Sequence, residues 1–164
     1  MFMWVAIVFI VVMFCFAFVL LFGAPYVPTL DAQMNTALDL LDLEKGHTML
    51  ELGCGDGKVL LAAAARGYKA VGYELNPILA LIAWLRTWRY RGQVTVVCGN
   101  FWARRWPEAD GVFVFLLDKF MVRLDMVVTA QQHRPIRLVS FAFQIPGKEP
   151  SITKDGIYLY VYEK

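Results

Sequence analysis

The sequence predicts an α/β fold in which helices cover both faces of a mostly parallel, doubly wound sheet, with an antiparallel strand at the C-terminal edge. The sequence also predicts one N-terminal transmembrane helix before this domain. Short apolar runs alternate with segments of helical periodicity, which is typical of a parallel sheet. A glycine-rich turn follows the first of those runs, and no charged side chain occurs before Asp31.

The N-terminal segment 1–22 predicts a membrane anchor. All 30 charged side chains (16 basic and 14 acidic) lie after it, and a helix of this length reaches roughly 33 Å against about 30 Å of hydrocarbon. A cleaved signal peptide would need a basic start and small residues at the cleavage site, whereas residues 20–22 are bulky. We therefore expect an anchor at 1–22, a Pro-containing linker at 23–29 and a globular domain at 30–164.

Local signals place each element of that domain in order. Thr29 and Asn76 are residue types that cap helix N-termini, and Pro77 fits a first helical turn. Residues 157–163 alternate apolar residues with tyrosines, as in a half-exposed antiparallel strand. The predicted helices are 30–43, 58–66, 76–91 and 118–133, and the predicted strands are 48–52, 69–74, 94–98, 112–117, 136–143 and 157–163.

The loop after the first strand is the strongest candidate for ligand binding. Its three alternate glycines allow a sharp turn, permit close approach of the backbone to a ligand, and aim the N–H groups of the next helix at it. Ligands of such sheets bind at the carboxyl ends of the strands. The candidate residues are Glu51, Gly53, Cys54, Gly55, Asp56 and Gly57.

Two further loops at the same edge complete a nucleoside site. Glu74 ends the second strand 21 residues after Gly53, which is about the spacing at which a carboxylate reaches ribose hydroxyls. Asn100, Phe101 and Trp102 follow the third strand and offer an amide and an aromatic face to a purine.

The glycine spacing separates two candidate cofactors. A dinucleotide fingerprint places its third glycine three residues after the second, but Gly57 follows Gly55 after two. The carboxylate of Glu51 would repel a pyrophosphate, yet it can serve a cationic amino-acid ligand. The residues therefore favour S-adenosyl-L-methionine, whose product is S-adenosyl-L-homocysteine, over NAD.

Over about residues 29–164 the sequence resembles the class I, Rossmann-like methyltransferases that use S-adenosylmethionine. It is most similar to the membrane-anchored enzymes that methylate lysines of the adenine nucleotide translocase and the ATP synthase c-subunit. The segments that carry this resemblance are Pro25-Tyr-Val-Pro-Thr29, Gly53-Cys-Gly-Asp-Gly57 and Gly72-Tyr-Glu-Leu-Asn-Pro77.

The resemblance implies several roles that the spacing alone does not. It implies methyl transfer to a lysine ε-amine, cofactor contacts by Leu75 and Asn76, and closure of Tyr26 and Thr29 over the cofactor. One departure concerns the C-terminal end, where about 13 residues separate the last two predicted strands and leave little room for the usual helix. We therefore expect a shortened sheet.

Asp118 is the candidate catalytic residue, at the end of the fourth predicted strand. Class I enzymes that act on amide or base nitrogens often carry an Asn/Asp-Pro-Pro-Tyr stretch there, whereas this chain has Leu116-Leu117-Asp118-Lys119. Asp118 either orients the incoming ammonium group or caps the following helix, and the sequence leaves both interpretations open.

Tryptophans and arginines are interleaved in two segments. This combination suits the headgroup level of an anionic leaflet, but it also fits core tryptophans beside a solvated arginine face. The residues are Trp84, Arg86, Trp88, Arg89 and Arg91, and then Trp102, Arg104, Arg105 and Trp106.

Composition limits the remaining partners. The net charge of +2 does not indicate nucleic acid, and three cysteines without a CxxC pair indicate no metal site.

We expect a single-pass membrane protein whose domain faces the cytoplasm. In a eukaryote, the mitochondrial inner membrane is the alternative location. The expected substrate is a membrane-embedded or membrane-adjacent protein. A methyltransferase of lipids or quinones, and a cofactor-binding protein without turnover, remain alternatives; the oligomeric state is not indicated.

Overall fold

A computed structural model describes residues 2–7, 9–10, 13, 27, 29–131 and 134–163. The α-helices are α1 (Asp31–Leu41), α2 (Lys58–Ala65), α3 (Pro77–Arg86) and α4 (Met121–Gln131). The strands are β1 (Thr48–Leu52), β2 (Lys69–Glu74), β3 (Val94–Cys98), β4 (Gly111–Val114), β5 (Ile136–Phe141), β6 (Ile152–Lys154) and β7 (Ile157–Tyr162). Short 3-10 helices occupy Trp88–Tyr90, Phe101–Ala103 and Asp118–Phe120.

The seven strands form one sheet in the order β3-β2-β1-β4-β5-β7-β6. β1 to β5 are parallel, and β7 runs antiparallel to both of its neighbours. The predicted doubly wound, mostly parallel sheet is confirmed. Two expectations at its end were wrong: the sheet is not shortened, and β7 is not the edge strand, because β6 pairs with it through Thr153 and Tyr158.

The segment between β5 and β6 forms no helix and is held by side chains instead. Tyr160 Oη accepts a hydrogen bond from the backbone N–H of Ile145 at 2.9 Å. Lys148 Nζ and Tyr162 Oη both donate to Asp125 Oδ1, at 2.8 and 2.6 Å. Burial acts to raise the pKa of Asp125, but these hydrogen bonds outweigh it and lower that pKa. The chain thereby returns to the sheet without a crossover helix.

Helices cover both faces of the sheet. One core cluster joins α1, α2 and α3 to the sheet and includes Met34, Leu38, Leu60, Ala83 and Phe113. The other lies under α4 and includes Leu50, Leu52, Trp106, Leu124 and Tyr160. Because β1 alternates between the two clusters, it is buried on both sides.

Three predicted helix boundaries need correction. The N-cap of α1 is Leu30, without a side-chain hydrogen bond, so Thr29 is not the cap. α3 stops at Arg86, and its C-cap Thr87 leaves helical geometry with φ −92° and ψ 4° while its Oγ1 donates to the carbonyl of Ala83 at 2.8 Å. The predicted helix 118–133 begins as a 3-10 turn, and α4 starts only at Met121.

Two predicted strands extend too far at their C-terminal ends, each for its own reason. β4 ends at Val114 and β5 at Phe141. Leu116, beyond β4, is a buried apolar residue in the following loop, so its hydrophobicity resembles that of a strand. β5 stops where Ala142 adopts a positive φ of 70°, which extended backbone does not allow.

Across the described residues, no helix is both long enough and apolar enough to cross a bilayer. Residues 2–7, 9–10 and 13 are helical. The remainder of the predicted anchor, and residues 23–26 and 28 of the predicted linker, lie outside the described residues.

Candidate functional site

The glycine turn after β1 is fastened to the neighbouring strand by its backbone. The N–H groups of Gly53 and Cys54 both donate to the carbonyl of Tyr73 at 2.9 Å. Gly53, Gly55 and Gly57 have φ values of 87°, 52° and 77°, a region that favours glycine. Gly57 is the N-cap of α2, so the N–H groups of the first turn of α2 face the loop, as an anionic or electron-rich ligand requires.

Cys54 contributes its backbone to the turn, while its thiol is part of the packing. A Cβ on Gly72 of β2 would lie 2.9 Å from Cys54 Sγ and 2.5 Å from Leu60 Cδ1, so only glycine fits beneath this turn. Burial raises the pKa of the Cys54 thiol well above its usual range, and the charge of Glu51 adds to that effect. A neutral, enclosed thiol is unsuited to nucleophilic chemistry.

Glu74 joins the first two loops. Its Oε2 accepts from the N–H of Gly55 and its Oε1 from the N–H of Asn76, both at 2.8 Å. Burial raises its pKa, and these backbone hydrogen bonds oppose the rise. A carboxylate has about four lone-pair positions, so two remain for hydroxyl groups such as those of a ribose. Leu75 is half-buried beside it.

Two buried polar atoms at this edge lack hydrogen-bond partners within the described residues: Glu51 Oε2 and Asn76 Nδ2. The pKa of Glu51 is raised well above its usual value, first by burial and then by the negative charges of Glu74 and Asp56. A buried carboxyl oxygen without a hydrogen-bond partner is costly, and an ammonium group would satisfy it. The donor set therefore fits S-adenosylmethionine, which carries an ammonium group and a sulfonium.

Asp56 faces α3. Its Oδ1 accepts from the N–H of Lys58 at 3.2 Å, and its Oδ2 pairs with Arg86. Although predicted among the cofactor residues, Asp56 thus holds the turn against the end of α3. The sequence placed Arg86 only among the interleaved tryptophans and arginines and did not indicate its pairing with Asp56, because that contact spans 30 residues and leaves no local pattern.

The sequence analysis also missed Lys58, although its position directly after Gly57 places it in the first turn of the helix that follows the glycine turn. Its Nζ donates to the carbonyl of Thr29 at 2.8 Å and pairs with Asp31 Oδ1 at 2.9 Å. Residue 29 is therefore held beside the first turn of α2. Tyr26, the other predicted residue of this segment, lies outside the described residues.

The third loop lies where the sequence predicted it. The N–H of Gly99 donates to the carbonyl of Glu74 at 2.7 Å, and Asn100 Oδ1 accepts from the N–H of Trp102 at 2.9 Å. The rings of Phe101 and Trp102 lie 4.5 Å apart at 44°. The loop thus brings an exposed asparagine and two aromatic rings to the carboxyl end of β3, beside Glu74.

Trp106 belongs to the core and not to a surface cluster. It is 4% exposed, and its indole N–H donates to the carbonyl of Phe101 at 2.9 Å. The interpretation of Trp102, Arg104, Arg105 and Trp106 as a second aromatic and basic surface is therefore wrong for Trp106.

Asp118 is exposed at the start of the 3-10 turn that follows β4. The N-cap of that turn is Leu117, without a side-chain hydrogen bond, so Asp118 does not have the capping role that the sequence left open. Its orienting role remains a prediction.

A Rossmann-like sheet with a glycine turn, an acid that ends β2 and a buried carboxyl with one free oxygen among the described residues defines a site of the S-adenosylmethionine-dependent methyltransferase class. The chain belongs to the ANTKMT methyltransferase domain family, whose model matches residues 51–152. The resemblance found in the sequence is confirmed.

Three curated relatives illustrate the relationship. The human ATP synthase c-subunit lysine N-methyltransferase is 29% identical, over 81% of this chain and 58% of its own length. The protein-lysine N-methyltransferase of Saccharolobus islandicus (strain REY15A) is 32% identical, over 84% and 92%. The mouse adenine nucleotide translocase lysine N-methyltransferase is 35% identical, over 77% and 56%. The chain thus spans little more than half of the length of these animal relatives.

Solved structures agree on the fold. An RNA methyltransferase from Salinibacter ruber, in complex with S-adenosyl-L-homocysteine, has a TM-score of 0.75 at 25% identity and covers 83% of this chain and 92% of its own. A methyltransferase from Thiobacillus denitrificans with the same ligand has a TM-score of 0.59 at 21% identity, over 75% and 54%. Their bound ligand agrees with the predicted cofactor.

Close packing of α3 on the glycine turn gives a first prediction. Gly57→Ala combines a positive φ with a Cβ 2.8 Å from Ala83 Cβ and 2.9 Å from its Cα, whereas Gly46 has a φ of 87° and open space. Gly46→Ala should cost about 1–2 kcal/mol of unfolding free energy. Gly57→Ala should cost about 1–3 kcal/mol more and weaken S-adenosylhomocysteine binding. Urea unfolding and calorimetry measure both; equal losses would contradict the packing account.

The raised pKa of Glu51 gives a second prediction. A cationic ammonium partner lowers this pKa, so binding of S-adenosylhomocysteine should release a proton, and affinity should increase as pH rises through the pKa of the free protein. Titration calorimetry in buffers of different ionisation enthalpy measures the release.

The variant Glu51→Gln should lose most of that proton release. It should also be more stable than the wild type at neutral pH, because a raised pKa in the folded state makes the stability of the wild type fall as pH rises above the pKa of the unfolded carboxyl. Glu44→Gln, at an exposed position, is the control. Unchanged proton release in Glu51→Gln would remove this role for Glu51.

Proposed function

We propose that this chain transfers a methyl group from S-adenosylmethionine to the ε-amine of a lysine in a membrane-embedded or membrane-associated protein. The observation that carries the proposal is that the region matched by the family, 51–152, contains Glu51, the glycine turn 53–57 and Glu74 at one edge of the sheet. We call these residues the cofactor cradle. Curated relatives over most of this chain are named protein-lysine N-methyltransferases.

The residues of the cradle act by positioning. The cofactor supplies a methyl group on a positively charged sulfur. Glu74 and the glycine turn would hold its nucleoside, and Glu51 its ammonium group. Asn100 and Phe101 would lie along the base. Fixing both reactants for an in-line displacement accounts for most of the acceleration such a reaction needs.

The acceptor must lose a proton during the reaction. A free lysine, with a pKa of about 10.4, is neutral in only roughly one molecule in two thousand at pH 7. Asp118 is exposed beyond the carboxyl end of β4, and we propose that it attracts and orients the ammonium group before the proton leaves to solvent. The N–C bond then forms as the S–C bond breaks.

The N-terminal segment supports a membrane tether. Residues 1–22 contain no charged side chain, and the side chains of Phe2, Trp4 and Phe9 are 85%, 67% and 65% exposed. Such a segment would confine the enzyme and its substrate to one membrane, which raises their effective concentration. Because S-adenosylmethionine is made in the cytosol, the domain would face the cytoplasm, with the mitochondrial inner membrane as the alternative in a eukaryote.

Incubation of the full chain with methyl-labelled S-adenosylmethionine and membranes of its host tests the proposal. We expect label in protein, recovered as methyl-lysine after hydrolysis. Label in the organic extract would instead show a methyltransferase of lipids or quinones, and cofactor binding without any transfer would show a protein that does not turn over.

The same assay tests Asp118. Asp118→Asn should lower turnover by up to about 100-fold, the loss that misplacement of a reactant can cause, and change its pH dependence. Asp155→Asn, in the exposed turn between β6 and β7, should leave both unchanged. Full turnover of Asp118→Asn with an unaltered pH profile would remove the orienting role.

A further inference from the structure

Helix α3 is apolar on all sides although it lies at the surface. Its inner side buries Leu79, Ala80 and Ala83. On its outer side Leu81 and Leu85 are 55% and 58% exposed. A helix that is hydrophobic all round is normally covered on every side, so the outer side of α3 requires a partner.

Aromatic and basic side chains extend this apolar stripe into the following 3-10 turn. Trp84 and Trp88 are 44% and 46% exposed, and their ring centroids lie 4.4 Å apart. The guanidinium of Arg91 lies 5.3 Å from the ring centroid of Trp88. We call Leu81, Trp84, Leu85, Trp88, Arg89 and Arg91 the α3 outer face.

The segment that carries this face is basic. Residues 75–107 contain five arginines and no lysine, aspartate or glutamate, whereas the whole chain has a net charge of only +2. The rest of the chain is therefore negative by three charges. Within the described residues neither Arg89 nor Arg91 forms an ion pair, and Arg86 is engaged by Asp56.

We propose that the α3 outer face docks on the surface of an anionic lipid bilayer. Exposed leucines can enter the acyl boundary, tryptophans fit the headgroup level, and arginines bind lipid phosphates. The same arginines would also suit a nucleic-acid backbone, but phosphate binding gives no reason to expose Leu81 and Leu85. A symmetric contact between two copies would bring equal charges together.

This docking would have a structural consequence for the cofactor turn. The inner side of α3 contacts that turn directly, where Ala83 meets Gly57 and Arg86 pairs with Asp56. A bilayer on the outer face therefore fixes the orientation of the cradle relative to the membrane. Docking needs neither methyl transfer nor a particular substrate, so it is independent of the proposed activity.

Hydrogen–deuterium exchange on the full chain in nanodiscs tests the docking. Nanodiscs of phosphatidylcholine alone and with phosphatidylglycerol hold the uncharged N-terminal segment alike, so a difference between them reports the charged surface. Amides of residues 81–91 should exchange severalfold more slowly in the anionic nanodiscs. High salt should reverse the effect, because it screens exposed charges.

Charge reversal is the decisive comparison. Arg89→Glu with Arg91→Glu should remove the protection and weaken docking at least roughly thirtyfold, from the two lost attractions alone. Lys45→Glu with Lys154→Glu reverses the same charge at exposed positions elsewhere and should leave protection intact. Leu81→Ser with Leu85→Ser, which keeps the charge, should also reduce it.

Three results would overturn the proposal. Equal exchange in both nanodiscs would show no dependence on lipid charge, and equal loss in both charge-reversed variants would show only a general charge effect. Protection by a single-stranded RNA oligonucleotide in solution, with none from anionic nanodiscs, would assign the face to nucleic acid. A failure of methyl transfer in the labelling assay would leave these exchange results unaffected.

Discussion

The hydrogen bonds of the Glu74 carboxylate organise the rest of the site. They join the backbone of Gly55 to that of Asn76, and so lock the glycine turn after β1 to the start of α3. The carboxylate is held by main-chain donors, which side-chain substitutions nearby do not remove. Because its two remaining lone-pair regions stay available, the same group can fix the protein loops and bind a nucleoside.

Glu51 is the residue whose charged form this arrangement disfavours. Burial is the main cause of the raised pKa of Glu51, and the negative charges of Glu74 and Asp56 add to it. Among the described residues, Asp56 is the one of the three that has a cationic partner, Arg86. Buried carboxyl groups without a cationic partner lower the stability of the folded protein. A cationic ligand, such as a sulfonium amino acid, would stabilise the folded state by binding to them.

The sequence predicted the part of the fold that short-range signals determine. β1, β2 and β3 have the predicted bounds, because glycines or turns end them on both sides. β6 was missed because Ile152–Lys154 is three exposed residues without alternation, and only its pairing with β7 makes it a strand. The Arg86–Asp56 contact was missed because it depends on how α3 packs, which no local pattern encodes.

The most direct test of the cradle is a calorimetric titration of the full chain with S-adenosylhomocysteine, compared with Glu74→Ala. We expect one-to-one binding by the wild type. In the variant we expect at least about a tenfold loss of affinity, since hydrogen bonds to a charged group contribute about 1.5–3 kcal/mol each. No heat from the wild type, or the same affinity in Glu74→Ala, would contradict the role of Glu74 in holding the cofactor.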